Sequence, residues 1–267
     1  MTRPYLTVIP VQAPVQQAAF DLYATLEAAL RDSGEPLQDG DVLAVSSKYA
    51  AISAGRVVSL AAVQPGAQAL ALAERYAMNP IIAQLVVQEA DAILGGIQGF
   101  LLTHKEGIIS PNAGIDRSNI PNGYAVLFPL KPYAVAADIR HEVRARLGAD
   151  VGVILTDSWL MPGRLGTTGV ALATAGFRPI QDERGKIDLF GNPMQVTQRG
   201  IADTLCACAQ LVMGERDEAT PFAIIRNSGV HIEDLTLSAA DVAIDWHDCI
   251  YVESLTEGRW VAVVKPD

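Results

Sequence analysis

Short continuous apolar runs alternate along this chain with stripes of apolar residues at every third or fourth position, the signatures of buried strands and amphipathic helices. Strands are predicted over Tyr5–Ile9, ended by Pro10, and over Val42–Val45, Phe100–His104, Tyr124–Pro129, Val151–Leu155, Phe222–Ile225 and Trp260–Val264. Phe20, Tyr23, Leu26 and Leu30 form one stripe, and Gly34 stops the helix it predicts. Leu60 to Leu94 is Ala-rich and helical in spacing. Asn79-Pro80 divides it into two helices, because proline disfavours helix in the residue before it, and Gly95-Gly96 is expected to end the second. Val135, Ile139, Val143 and Leu147 predict a helix over Tyr133–Leu147 with Gly148 as its stop and Arg140, Arg144 and Arg146 in solvent. Ile201, Leu205, Cys208 and Val212 predict another, ending near Met213-Gly214. Residues 159 to 200, punctuated by glycines, read as a long hairpin-and-loop region that folds over something or pairs with another subunit. Strands mixed with helices and hairpin signals imply an α+β (mixed α/β) fold. With no repeat or polar linker, residues 1–267 read as a single unit, one large domain or two intimate ones.

Composition narrows this picture. A chain of 267 residues with 50% hydrophobic and 19% charged positions can bury a substantial core. It has no uncharged apolar run of about 18 residues, and its start leads straight into a strand, so a cytoplasmic protein with no membrane partner is expected. Cys206, Cys208 and Cys249 make an odd count, and the first two point different ways on an apolar helix, which argues against a disulfide framework or a zinc site. Thirty acidic residues against 20 basic give a formal charge of −10, which argues against nucleic acid as a partner. An acidic chain can still bind an anionic nucleotide if metal ions bridge the two.

The candidate chemistry lies in two polar stretches. The segment Ser110–Asn119 follows the apolar pair Ile108-Ile109 and runs into the turn Pro121-Asn122-Gly123. It holds one carboxylate, Asp116, among the oxygen-bearing Asn112, Ser118 and Asn119, and Gly114 permits close backbone approach. Thr156-Asp157-Ser158 follows the apolar run Val151–Leu155, which would put Asp157 and Ser158 in a loop at the carboxyl end of a strand, where open α/β sheets bind ligands. Two such loops could converge on a hard cation and a phosphate. The blander alternative is that each aspartate caps a helix or a turn. Ser46-Ser47-Lys48 and Arg56 offer hydroxyl and cationic donors for a phosphate; alternatively both cations are solvated. His104, at a strand end, reads either as structural or as a site residue.

Taken in order, several of these residues resemble one family. They are Ser46-Ser47-Lys48 with Gly55-Arg56, Asn79-Pro80, Glu89, Asn112-Ala113-Gly114-Ile115-Asp116 with Ser118-Asn119, Thr156-Asp157-Ser158, Asp182-Glu183-Arg184-Gly185, Asp188, Gly191, Ala202-Asp203 and Leu211-Val212-Met213-Gly214. The chain so read resembles the coenzyme F420-0:L-glutamate ligases over nearly its whole length. The resemblance implies a γ-glutamyl ligase of a deazaflavin cofactor that uses GTP and Mn²⁺ or Mg²⁺, with a two-lobed fold in an intertwined homodimer. It implies that Asp116 and Asp157 are catalytic and, with Ser158, hold metal. It implies nucleotide contacts at Ile9, Pro10, Val11, Gln12, Ser47, Lys48, Asn119 and the segment Leu211, Val212, Met213, Gly214 and Glu215. The substrates would be a deazaflavin-type carboxylate, glutamate and the nucleotide. Three positions depart from the family pattern. Ile52-Ser53-Ala54-Gly55-Arg56 stands where Ser-Lys-x-Glu-Gly-Arg is common, Leu160-Met161-Pro162-Gly163-Arg164 stands where Gly-Arg-Pro-Trp-Arg is common, and Thr204 replaces an acid. They leave open a different acceptor, such as a pterin-like carboxylate, or ligand binding without turnover.

Overall fold

A computed structural model of the chain describes residues 5–256 and the backbone of 261–262. In chain order the elements are β1 (Thr7–Val11), α1 (Leu22–Ser33), β2 (Val42–Ser46), α2 (Ser47–Ser53), β3 (Val57–Ser59), α3 (Ala67–Arg75) and α4 (Pro80–Glu89). Next come β4 (Ala92–Ile97), β5 (Phe100–Lys105), β6 (Ile108–Pro111), β7 (Tyr124–Val126), α5 (Pro132–Leu147), β8 (Gly152–Leu160) and β9 (Thr167–Ala175). The chain continues with β10 (Ile180–Asp182), β11 (Gln198–Gly200), α6 (Ile201–Met213), β12 (Phe222–Arg226), α7 (Ile250–Thr256) and β13 (Val261–Ala262). The fold is mixed α and β, as its sequence pattern implies.

A five-stranded sheet in the order β1-β12-β2-β8-β9 forms the main layer, antiparallel throughout except for the parallel pair β2 and β8. Its inner strands are covered on both faces. Val42 and Ala44 of β2, Ile154 of β8 and Ala223 and Ile225 of β12 face α6, through Ala202, Leu205, Cys206, Ala209 and Met213. The intervening residues Leu43, Val45, Val153, Leu155 and Ile224 face the other way, onto Leu26, Leu30, Ile139 and Val143 of α1 and α5. Burial on both faces makes these strands continuous apolar runs rather than alternating ones. The α6 backbone lies directly on β9, and a side-chain carbon at Gly169 would come within 2.4 Å of the Cys206 carbonyl oxygen.

A four-stranded antiparallel sheet, β13-β4-β5-β6, packs against α3 and α4, with Leu101 and Ile93 meeting Ala69, Ala73, Ile82 and Val86. β3 and β7 pair antiparallel beside it. The helix signals hold: Asp21 accepts from the amides of Tyr23 and Ala24, Asn79 caps α4 ahead of Pro80, and Gly34 and Gly148 end α1 and α5 in the left-handed region.

Several expectations are corrected. β1 runs through Pro10 to Val11, because an edge strand tolerates a residue without an amide hydrogen. Gly95-Gly96 does not end α4; it lies in β4 at a register shift opposite β5. Thr156, Asp157 and Ser158 belong to β8 itself rather than to a loop after it, and within the expected hairpin-and-loop region Thr167–Ala175 is an edge strand paired antiparallel with β8. Arg140 is not solvated, since it bridges Asp150 at 2.8 Å and Asp234 at 2.6 Å. Of the strand expected over 260–264, Val261 and Ala262 pair with β4, and the remainder lies outside the described residues. Among the described residues no helix is long and apolar enough to cross a membrane. The three cysteines are free.

Candidate functional site

The site grows from the parallel pair of strands. Because Ser46 stands opposite Thr156, the residues that follow each of them, Ser47 and Asp157, are brought side by side, and the Ser47 hydroxyl donates to Asp157 Oδ2 at 3.0 Å. Ser46 is also the N-cap of α2, an element the sequence pattern does not announce, and the first turn of that helix carries Ser47 and Lys48. The Ser158 amide donates to Asp157 Oδ1 at 2.8 Å, so both carboxylate oxygens are held.

Asp116 comes from outside the five-stranded sheet, in the segment after β6, and is joined to β7 by an isolated bridge. Its amide and carbonyl exchange hydrogen bonds with Val126 of β7 at 3.0 and 2.8 Å. Its carboxylate accepts from the Ser118 amide at 2.7 Å and from the Ser118 hydroxyl at 3.0 Å, and it forms an ion pair with Lys48. Lys48 also donates to the Ser118 hydroxyl at 2.8 Å and carbonyl at 3.2 Å. The turn before Asp116 is tight: Asn112 and Ala113 have φ near +50°, and Phe128 lies so close that a side-chain carbon on Gly114 would be 2.7 Å from its ring. Asn112 earns this geometry with its Oδ1, which accepts from the Leu101 amide at 2.9 Å.

The two carboxylates are tuned in opposite directions. Burial pushes Asp157 up to about 6, the negative charge of Asp116 adds to this, and the hydrogen bonds from Ser158 and Ser47 and the charge of Lys48 only partly offset it. Burial acts on Asp116 as well, but there the Lys48 charge and the hydrogen bonds from Lys48 and Ser118 prevail and hold it below the usual carboxylate range.

Around them opens a cleft of about 950 Å³, walled by Asp116, Asn119, Asp157, Ser158, Met213, Gly214 and Glu215, with Tyr49, Trp159 and the segment from Ala13 to Gln17 opposite. Glu215 is held by three donors: the Ser158 hydroxyl at 3.1 Å, the Thr167 hydroxyl at 3.1 Å and Gln210 Nε2 at 2.8 Å. Of the candidates, Asp116, Asp157, Ser158, Lys48, Asn119, Met213, Gly214 and Glu215 therefore share this cleft, and Ser47 lies buried behind Asp157. Ile9, Pro10 and Val11 lie in the edge strand β1, Gln12 donates to the Glu218 carbonyl, and Leu211 and Val212 occupy the last turns of α6; none of these lines the cleft. His104 stacks edge-on against Trp246, away from the cleft lining. Arg56 is not a solvated charge, being paired with Glu89.

Gln210 and Thr167 escaped the reading of the sequence. A polar residue inside the apolar run of α6 was a signal for the first. Thr167 had none, since it lies in the expected hairpin-and-loop region without a motif of its own.

A metal's fit can be judged from the donors. They are carboxylate and hydroxyl oxygens without imidazole or thiolate, which suits Mg²⁺ or Mn²⁺ and not zinc. Among the described residues no group of three or more His, Cys, Asp or Glu is placed to hold an ion, so phosphate and water would have to complete the shell, as Mg²⁺ prefers. Asp157, partly buried at the cleft wall with no cation touching it, is the group such an ion would relieve.

A cleft at the carboxyl ends of a parallel strand pair, lined by carboxylates, a lysine and hydroxyl donors, defines a mixed α/β protein with a polar, small-molecule-sized site. The comparisons with known proteins make this specific. The F420-0:gamma-glutamyl ligase family matches residues 10–227. The coenzyme F420:L-glutamate ligase of Methanopyrus kandleri is 36% identical over 209 residues, covering 78% of this chain and 82% of that one. That of Methanothermobacter thermautotrophicus is 34% identical over 80% of this chain and 85% of its own, and that of Halobacterium salinarum 39% identical over 74% and 79%. The chain belongs to the F420-0:gamma-glutamyl ligase family.

Proposed function

We propose that this protein is a cytoplasmic γ-glutamyl ligase that joins glutamate to a deazaflavin-type carboxylate, using GTP and Mn²⁺ or Mg²⁺. The observation that carries the reading is the convergence of Asp116 and Asp157 with Lys48 on one cleft, one carboxylate carried by β8 and the other by the turn bridged to β7. Asp116, Asp157 and Ser158 would hold the metal. When bound, the ion neutralises phosphate oxygens and so lowers the barrier to phosphoryl transfer.

The chain's own groups do the rest. Lys48, fixed between Asp116 and Ser118, keeps a positive charge at the cleft wall for a phosphate oxygen. Ser47 and the Ser158 amide orient the Asp157 carboxylate, and Gln210 and Thr167 orient Glu215, the last residue of the segment expected to contact the nucleotide. In the first chemical step an acceptor carboxylate oxygen attacks the γ-phosphorus, the bond to the β-phosphate oxygen breaks, and an acyl phosphate and a nucleoside diphosphate result. In the second the amine of glutamate attacks the acyl carbon, inorganic phosphate leaves, and the nitrogen gives up a proton to become the amide.

Incubating the protein with GTP, Mn²⁺, glutamate and deazaflavin or pterin carboxylates tests this. Phosphate release with an acceptor that gains one glutamyl residue is expected. Release with the pterin alone would move the acceptor, and nucleotide binding with no release from any acceptor would leave a binding protein without turnover. Ile52 favours attention to that last outcome, because the cleft wall is apolar and only 3% exposed where relatives of the family commonly place an ammonium.

The protein is also proposed to be a homodimer. The loop joining β10 and β11 presents Leu189 and Phe190 at 99% and 90% exposure, a surface an isolated subunit leaves in water. Light scattering should give twice the mass of the 267-residue chain, falling to a monomer in a Leu189→Ser, Phe190→Ser variant.

A further inference from the structure

Arg56, Glu89 and Lys105 form a charge cluster that is largely buried yet lines no part of the cleft. Arg56 Nη2 lies 2.7 Å and Lys105 Nζ 3.0 Å from the same oxygen, Glu89 Oε2. Lys105 also donates to the Glu89 carbonyl at 2.7 Å, and its ammonium lies 5.7 Å from the centre of the Phe128 ring. A second nitrogen of the guanidinium, Nε, donates to the Phe128 carbonyl at 3.1 Å. Two cations sharing one carboxylate out of water is a poor device for stability, since apolar residues of like volume often do as well or better. What the guanidinium adds is direction: its planar fork fixes Glu89 on one side and the Phe128 carbonyl on the other.

That direction leads to the site by two routes. Phe128 is the residue whose ring presses on Gly114, two positions before Asp116, and the backbone of Asp116 is bonded to Val126, two positions before Phe128. Leu127, between them, donates its amide to the Arg56 carbonyl at 2.9 Å. In the other direction the Arg56 amide donates to the Ala51 carbonyl at 2.9 Å, in the helix whose first turn carries Lys48. Arg56 thus joins the segment that presents the Asp116 carboxylate to the helix that presents the Lys48 ammonium.

We propose that Arg56, oriented by Glu89 and Lys105, is a positioning residue that sets the placement of Asp116 against Lys48. Its consequence for turnover rests on the ligase reading above, whereas its consequence for the order of residues 112–128 does not. Two variants separate positioning from plain support of the fold. Arg56→Lys keeps a cation for Glu89 but cannot also reach the Phe128 carbonyl. The triple variant Arg56→Met, Glu89→Leu, Lys105→Met replaces the whole cluster by apolar volume.

The expected result for Arg56→Lys is amide hydrogen exchange over residues 112–128 that is faster by roughly tenfold or more, with exchange in α1 and α5 and the thermal midpoint little changed. In the ligase assay kcat should fall roughly a hundredfold with a smaller change in KM, the signature of a misplaced reacting group. The triple variant should match the wild type in thermal stability and still show both defects; if it fails to fold, the charges serve the fold as well, and Arg56→Lys decides. Unchanged exchange over 112–128 in Arg56→Lys would overturn the proposal. If the wild-type protein shows no turnover at all, the ligase reading fails while the exchange measurement still decides the positioning claim.

Discussion

The five-stranded sheet and the turn bridged to β7 each deliver one aspartate to the cleft, and they deliver it in opposite electrostatic states. Asp157 issues from an inner strand covered on both faces, meets hydroxyl and amide donors but no cation, and is pushed up to about 6. Asp116 issues from a tight turn bridged to β7, pairs with Lys48 and is held below the usual range. The difference teaches that the strand-borne carboxylate is the one left in need of a positive charge, and the turn-borne one already has it. A pair of titratable groups pushed apart in this way marks a division of roles.

The largest expected effect comes from removing the cation that separates them. Lys48→Met leaves two carboxylates facing one cleft with nothing between, so Asp116 should rise toward the ordinary range, and turnover in the ligase assay should drop by roughly 10²- to 10³-fold, the scale of losing one preorganised electrostatic contact. Titration of the Asp116 carboxyl by NMR together with kcat checks this; a Lys48→Met protein with near-normal turnover would show that the ammonium does not face the reacting phosphate.

Next in size is a gain in stability from a loss of function. A carboxyl raised from 3.8 to about 6 is protonated more readily in the folded chain than in the unfolded one, so stability falls as pH climbs through that window, and the deficit is complete above about 6. It amounts to about 3 kcal/mol at neutral pH. Asp157→Asn should therefore make the metal-free protein more stable by up to that order at pH 7.5 and flatten its stability between pH 4 and 6. Denaturant melts of both proteins across that range decide it, and equal stability at pH 7.5 would mean that Asp157 is not held uncompensated.

A smaller effect sharpens the comparison at the cleft wall. Ile52 packs with Ala51 and Val126 against Phe20 and Ile120, so a lysine there must lay its stem in that cluster and extend its head into the cleft. Ile52→Lys should tighten triphosphate binding in the presence of Mn²⁺ by roughly ten- to a hundredfold, the worth of one charge-assisted contact, and more for the triphosphate than for the nucleoside. The gain should shrink at high salt. Submicromolar GTP affinity in the natural protein, or no response to the substitution, would move the phosphates elsewhere.

The main strands and helix stops were legible because both rest on strong local rules. Val42–Val45 and Phe222–Ile225 are buried on two faces and so read as unbroken apolar runs, and Asn79-Pro80, Gly34 and Gly148 end or begin helices by their own backbone preferences. The site was legible residue by residue but not in its geometry. Thr156-Asp157-Ser158 looks like loop because three polar residues follow an apolar run, yet the strand passes a register shift at Leu155 and Thr156 and carries them on paired with β9. β9 does not read as an apolar run, because Thr167, Thr168 and Gly169 open it, and the α6 backbone lying on Gly169 leaves no room for a side chain there. α2 is seven residues long, too short for a helical period to show. The Asp157–Ser47 contact is a product of strand register, and the Asp116–Lys48 pair joins segments 68 residues apart; no local pattern encodes either.

The claim that the strand-borne aspartate awaits a cation is tested most directly by titrating Mn²⁺ into the wild-type protein and Asp157→Asn by calorimetry at pH 7.5. Saturable binding to the wild type that is lost in the variant, with the variant folded by circular dichroism, is the predicted result. Equal Mn²⁺ affinity in the two proteins would contradict it.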